Sequence, residues 1–195
     1  MKTLLHVKSS LFGDQGQSAQ LAGSFISRWT QENPDSSVIE RDLAADPVPH
    51  LDAFRMGALN TPEADRSQEQ QAVVDLADQL LSEVKAADVI VIGLPMYNFS
   101  VPSQLKSWFD HLARAGVTFQ YTETGVQGLI EDRPVYLIST RGGVYGDEGS
   151  NMQISYVKQL LSFMGLNSQQ LVVAEGLAMD DHRDAALEKA RAALA

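Results

Sequence analysis

Apolar positions along this chain follow two rhythms. Val89, Ile90, Val91, Ile92 and Gly93 run together without charge or alternation. A β-branched run of that kind predicts a strand buried on both faces, at the centre of a parallel sheet. Residues 3–7 and 135–140 read the same way, and 38–41 and 171–174 complete five strands. Between them the period turns helical. Leu21, Ala22, Phe25, Ile26 and Trp29 define one buried face, with Ser18 read as the cap and Asn33-Pro34-Asp35-Ser36 as the break. A long amphipathic helix spans 67–87, with Val73, Ala77, Leu80 and Val84 inward. A further helix covers 102–115, with Pro102 in its first turn and Leu105, Phe109 and Leu112 inward. Ile154, Val157, Leu161 and Met164 mark another, which Gly165 is placed to end, and 181–194 is the last. Residues 47–65 hold Pro47, Pro49 and Pro62 and a brief helix near Phe54 and Met56, read as a flap or dimer contact. Residues 117–121 alternate and read as a small extended insertion.

Strands alternating with helices fold into an α/β three-layer sandwich, a five-stranded parallel sheet with helices on both faces, when crossovers are right-handed. Five strands without a sixth favour the flavodoxin-like order 2-1-3-4-5. Residues 1–195 show no repeat, low-complexity tract or linker, so a single domain is expected. In that order the loops after strands one, three and four meet at the carboxyl edge, where open parallel sheets bind ligands. They are 9–18, 95–99 and 140–143, the three most unusual loops in the chain.

Charge and cysteine usage narrow the chemistry. A formal net charge of −10 argues against nucleic acid, whose phosphates demand a basic face. No apolar run approaches the ~20 residues a membrane helix needs, and the first residues turn polar too soon for a signal peptide. No membrane partner is expected. The absence of cysteine removes disulfides, thiolate metal sites and cysteine nucleophiles, and fits a cytoplasmic protein. His6, His50, His111 and His182 lack metal-ligand spacing, so no metal is expected. Neither a G-x-S-x-G elbow, a G-x-G-x-x-G turn nor a P-loop is present.

Each of the three loops carries its own chemistry. The first places Ser9, Ser10, Gln17 and Ser18 at a helix N-terminus, where N–H groups and the dipole favour a phosphate. The second, Pro95-Met96-Tyr97-Asn98-Phe99, offers flat apolar surface and backbone polar groups for a planar heteroaromatic. The third, Thr140-Arg141-Gly142-Gly143, opens a glycine-rich loop running to Gly149, whose N–H groups can approach a ring edge. A phosphate at one end and a flat polar ring at the other describe FMN, which flavodoxin itself binds at this switch point. Taken singly, the serines also fit simple capping, Tyr97 and Phe99 core packing, Asn98 a turn and the glycines a plain connection.

Taken together, Lys8-Ser9-Ser10, Gln17-Ser18, Pro95 to Phe99, Gln104-Leu105-Lys106, the run from Ala113 to Phe119 and Arg141-Gly142-Gly143 resemble the FMN-dependent NADH:azoreductase and NAD(P)H:quinone oxidoreductase family. The resemblance spans nearly the whole chain. It implies a homodimer with FMN near the subunit interface, and Ser10, Gly16, Gln17 and Ser18 holding its phosphate. Pro95, Met96, Tyr97, Asn98 and Phe99 would flank the ring, and Thr140, Arg141, Gly142 and Gly143 would face its pyrimidine end. Relatives often carry serine at position 140, and some a hydroxyl at position 16, where only the Gly16 backbone can contribute. No side chain is expected to do catalysis: NADH or NADPH delivers a hydride to flavin N5, supported by Asn98, Gly142 and Gly143. Quinones and aromatic azo compounds then take the electrons in ping-pong fashion. Phe99, Phe119, Tyr121, Tyr145 and Phe163 are candidates for the substrate pocket. A flavodoxin-type electron carrier, or a flavin-free receiver-like module, would share the topology. The first lacks need for an aromatic pocket, and the second needs acidic residues where Lys8-Ser9-Ser10 stand.

Overall fold

The computed structural model describes residues 1–145 and 152–194. Residues 146–149 of the expected glycine-rich loop lie outside them. Five parallel strands form the sheet: β1 (Thr3–Lys8), β2 (Ser37–Asp42), β3 (Val89–Pro95), β6 (Val135–Thr140) and β7 (Gln169–Ala174). Their spatial order is β2-β1-β3-β6-β7, which is 2-1-3-4-5 among the parallel strands. β4 (Phe119–Thr122) and β5 (Gly125–Gly128) make a separate antiparallel hairpin. The helices are α1 (Gln17–Glu32), α2 (Ala53–Asn60), α3 (Gln68–Ala86), α4 (Ser103–Leu112), α5 (Met152–Met164) and α6 (Asp180–Ala193).

Adjacent strand residues face opposite sides, so Leu4 and Leu5 enter different cores. On one face Leu5, Ile90, Ile92 and Leu137 pack with Leu80 and Val84 of α3, Trp108 and Phe109 of α4, and Val157 and Leu161 of α5. On the other, Leu4, Val91, Ile138 and Val172 pack with Leu21, Ala22, Phe25 and Trp29 of α1 and Leu187 and Ala190 of α6. β3 is buried from Ile90 to Pro95 because both neighbours and both helical layers cover it.

Local signals set several boundaries. Ser67 and Gln70 close a reciprocal capping box at the start of α3. The inward stripe of that helix includes Val74, while Val73 is half-buried and faces Pro49 and Phe54 beside α2. Positions 73 and 74 both fit the helical period, and the packing of α2 decides between them. α4 begins after Pro102, which is its N-cap, and ends at Leu112 rather than 115. There Thr118 Oγ1 donates to the Leu112 carbonyl at 2.7 Å and accepts from Arg114 N, and Gly116 turns the chain at φ 74°. Gly165 ends α5 at φ 111°, and a Cβ there would lie 2.3 Å from the Ile130 carbonyl oxygen. Gly128 of β5 approaches Gly165 as closely, which seats the hairpin on the C-terminal end of α5.

Candidate active site

The loop after β1 is anchored before it reaches the site. Ser9 Oγ donates to the Gly93 carbonyl at 2.7 Å in a buried contact. Lys8 is buried and ringed by Asp14, Glu40 at 3.2 Å and Asp42 at 3.0 Å. Burial works against its charge, but the three carboxylates outweigh it and hold the ammonium above the usual lysine range. Its charge is therefore consumed on the far side of the loop. A 3₁₀ turn at Gly13–Gln15 then delivers Gly16, the N-cap of α1. No side chain caps that helix, so its first N–H groups stay open to a ligand. A Cβ on Gly16 would fall 2.1 Å from Ser10 Oγ, so only glycine allows the serine to sit beside the helix start.

Ser18 is not the cap. It occupies the second helical position, buried, with Oγ facing Gly93 and no hydrogen-bond partner among the described residues. What it offers a phosphate is its backbone N–H.

The loop after β3 is a tight turn. Tyr97 and Ser100 exchange both backbone hydrogen bonds at 3.1 Å, with Asn98 at φ 50° and Phe99 at φ 65° between them. Two consecutive positive φ values make a type I′ turn, which ordinarily takes Asn-Gly. Phe99 is held there 59% exposed, its ring edge-on to Tyr145 at 6.0 Å. Tyr97 Oη reaches back to the first loop, 3.4 Å from Ser10 Oγ and accepting from Leu11 N at 3.2 Å. Met96 N donates to the Thr140 carbonyl, which joins the second loop to the third.

The third loop is laced to a fourth that the sequence reading passed over. The carbonyls of Arg141, Gly142 and Gly143 accept from Leu177, Ala178 and Gly176. That leaves the N–H groups of Gly142 and Gly143 without an acceptor among the described residues. Arg141 is buried, with its guanidinium 6.0 Å from the Tyr145 ring centroid. Burial draws it below the usual arginine range, against the pull of Glu175.

These loops enclose a cleft of about 230 Å³ lined by Ser10, Gly16, Gln17, Pro95, Met96, Tyr97, Thr140, Arg141 and Gly142. Phe12, Leu177, Ala178 and Arg183 complete it, and none was expected. Topology held the signal for the last three: β7 lies beside β6, so the loop after β7 and the first turn of α6 must flank the third loop. The donor set fits a phosphate at the uncapped α1 end and a flat ring between Met96, Tyr97 and Gly142. Arg183, whose Nη1 donates to the Leu177 carbonyl at 3.1 Å, adds positive charge.

The five candidate aromatics do not share one surface. Phe99 and Tyr145 meet edge-on beside the second loop, and neither is among the residues lining the cleft. Phe119 stacks on Phe163 at 4.2 Å and meets Tyr121 at 5.7 Å, on the hairpin and the C-terminal end of α5. Since α5 runs back across the sheet after β6, that cluster sits at the end opposite the cleft.

The flavodoxin-like fold family matches residues 2–195. An FMN-dependent NADH:quinone oxidoreductase of Cellvibrio japonicus is 54% identical over 92% of this chain and 90% of its own length. Another from Alcanivorax borkumensis is 47% identical over 98% of this chain and 97% of its own. An azoreductase crystal structure from Bacillus anthracis superposes with a TM-score of 0.88 at 30% identity, covering 100% of this chain and 99% of that one. With its strand order and its cleft at the β1–β3 switch point, this chain belongs to the flavodoxin-like fold family, alongside the FMN-dependent NADH:quinone oxidoreductases and azoreductases.

Proposed function

We propose that residues 1–195 form one FMN-binding domain of an NAD(P)H:quinone oxidoreductase that also reduces aromatic azo compounds by a ping-pong mechanism, as a cytoplasmic homodimer. The observation that carries this is the cleft itself, where an uncapped helix N-terminus faces a glycine-rich backbone edge across a flat apolar wall. Names of relatives agree: one B. anthracis neighbour, an FMN-dependent NADH-azoreductase, was solved in complex with FMN.

Bound FMN supplies the two-electron carrier between the nicotinamide and the acceptor. Everything else falls to the chain. Ser10 and the N–H groups of Gln17 and Ser18 hold the phosphate, with the α1 dipole behind them. Pro95, Met96 and Tyr97 seat the ring, while Asn98 and Phe99 crown its edge. Thr140 and Arg141 fix the third loop, and the N–H groups of Gly142 and Gly143 supply donors for negative charge at the pyrimidine end. Each such donor is worth about 2–4 kcal/mol in comparable sites. Phe99 and Tyr145 line the acceptor pocket from the same protomer. Phe119, Tyr121 and Phe163 reach a cleft as the contribution of a second copy, and exposed Phe54 and Met56 add apolar surface for it to cover.

A visible spectrum tests this. Protein reconstituted with FMN should be yellow, bleach in one step with NADH under nitrogen, and recover colour when benzoquinone or an azo dye is added. A colourless protein sinks the cofactor assignment. A yellow protein indifferent to NADH leaves only a carrier.

A further inference from the structure

A second cavity, of about 660 Å³, opens along β7, the edge strand of the sheet, between α5 and α6. That volume suits an organic ligand the size of a nucleotide. Leu171 and Val173 of β7 form its apolar floor, and Ala185 and Ala186 keep the α6 side low enough for a flat ring. Lys158 on α5 and Lys189 on α6 line it from the two sides of the strand edge. Among the described residues neither ammonium has a carboxylate partner. Glu175 is the one carboxylate in the lining, and it already accepts from Tyr145 N at 3.1 Å. In a chain with 25 acidic and 15 basic residues, a basic groove reverses the overall sign and points to an anionic ligand.

The groove adjoins the cleft, with Arg141 as a wall common to both. From Glu175 to Leu171 it follows the strand for about 13 Å. A ligand lying in it would begin at the Arg141 wall and run down the sheet edge.

We propose that this groove binds the adenosine diphosphate half of the nicotinamide dinucleotide, with its phosphates between Lys158 and Lys189 and its adenine on Leu171 and Val173, while the nicotinamide passes Arg141 into the cleft. This rests on the NAD(P)H-dependent reading above. It assigns a reason for the donor to be a dinucleotide, because the cleft alone is too small to recognise the tail. It also assigns donor affinity to residues that touch neither ring.

Two measurements test it on the FMN-loaded protein. ADP-ribose titrated by calorimetry should bind the wild type and bind a Lys158→Ala/Lys189→Ala double variant at least about tenfold more weakly, a loss of about 1.4 kcal/mol. The ratio of kcat/KM for NADH over reduced nicotinamide mononucleotide, which lacks the tail, should fall by a similar factor through the NADH KM, with the NADH kcat retained. Flavin absorbance per chain reports folding and cofactor content in the variant. Absent ADP-ribose binding, equal binding by both proteins, or an unchanged donor ratio overturns the proposal. An enzyme reducing neither donor would instead sink the oxidoreductase reading, and the ADP-ribose titration would still judge the groove.

Discussion

Ser9 and Gly93, 84 positions apart, meet at the switch point of the sheet through a buried 2.7 Å hydrogen bond. The bond fastens the loop after β1 to the carboxyl end of the central strand, so the two halves of the cleft hold a common frame. Replacing Ser9 by Ala leaves a buried carbonyl without that partner, at a cost of about 1–3 kcal/mol. Urea unfolding of Ser9→Ala should show that loss, with weaker FMN retention on dialysis. Unchanged stability would mean that the loop is held elsewhere.

Gly16 is set by its neighbour. A Cβ would lie 2.1 Å from Ser10 Oγ and 2.5 Å from Ser10 Cβ, so Gly16→Ala must push the serine out of place. FMN affinity should fall about tenfold or more, the equivalent of one hydrogen bond to a charged group. Adding Ser10→Gly should restore thermal stability without restoring affinity. Fluorescence titration of the apoprotein with FMN reads both.

Phe99 stands at φ 65° in a turn position that suits glycine. The left-handed conformation costs roughly 1–2 kcal/mol for a residue with a side chain, against roughly 0.5–1 kcal/mol for the extra freedom of glycine when unfolded. Phe99→Gly should therefore gain about 0.5–1 kcal/mol in denaturation while raising the KM for quinone. A variant that is both less stable and fully active would refute the view that this strain serves the site.

His6 is buried on β1, with its pKa lowered to about 4. Burial is the main cause, and Glu40, 3.9 Å away, pulls weakly the other way. The unfolded chain binds a proton near pH 6.5 that the folded chain takes up only near pH 4. Stability from neutral His6 is thus full above pH 6.5 and lost as pH falls toward 4, by about 3 kcal/mol in all. Unfolding of wild type and His6→Gln across pH 7 to 4 should converge by that amount. Parallel curves would show that His6 does not titrate in this window.

The central strand was legible because an unbroken β-branched run has few other uses, and five strands limit the strand order. The three loops followed from that order. What stayed hidden depends on packing between elements. Leu177 and Ala178 enter through backbone bonds between the third and fourth loops, which leave no mark on side-chain pattern, and Arg183 follows them through its bond to the Leu177 carbonyl. Asn98-Phe99 lacks the glycine that announces a type I′ turn. Ser18 looks like a cap because serine often is one, whereas here Gly16 is the cap and Ser18 is buried against β3. The aromatic cluster on the hairpin could be found from composition, but not its place at the far end of the sheet.

The cleft draws on Ser10 near the start of the chain and on Arg183 near its end. Its central pair, β1 and β3, closes a loop of more than 80 residues before either can meet β6 or β7. No shorter nascent segment contains a complete cofactor site. On a ribosome adding about 5–20 residues per second, β1 and α1 must wait about 8–30 seconds for the rest of the cleft to be made. A cofactor held by this cleft is therefore bound by the finished chain and by no nascent part of it.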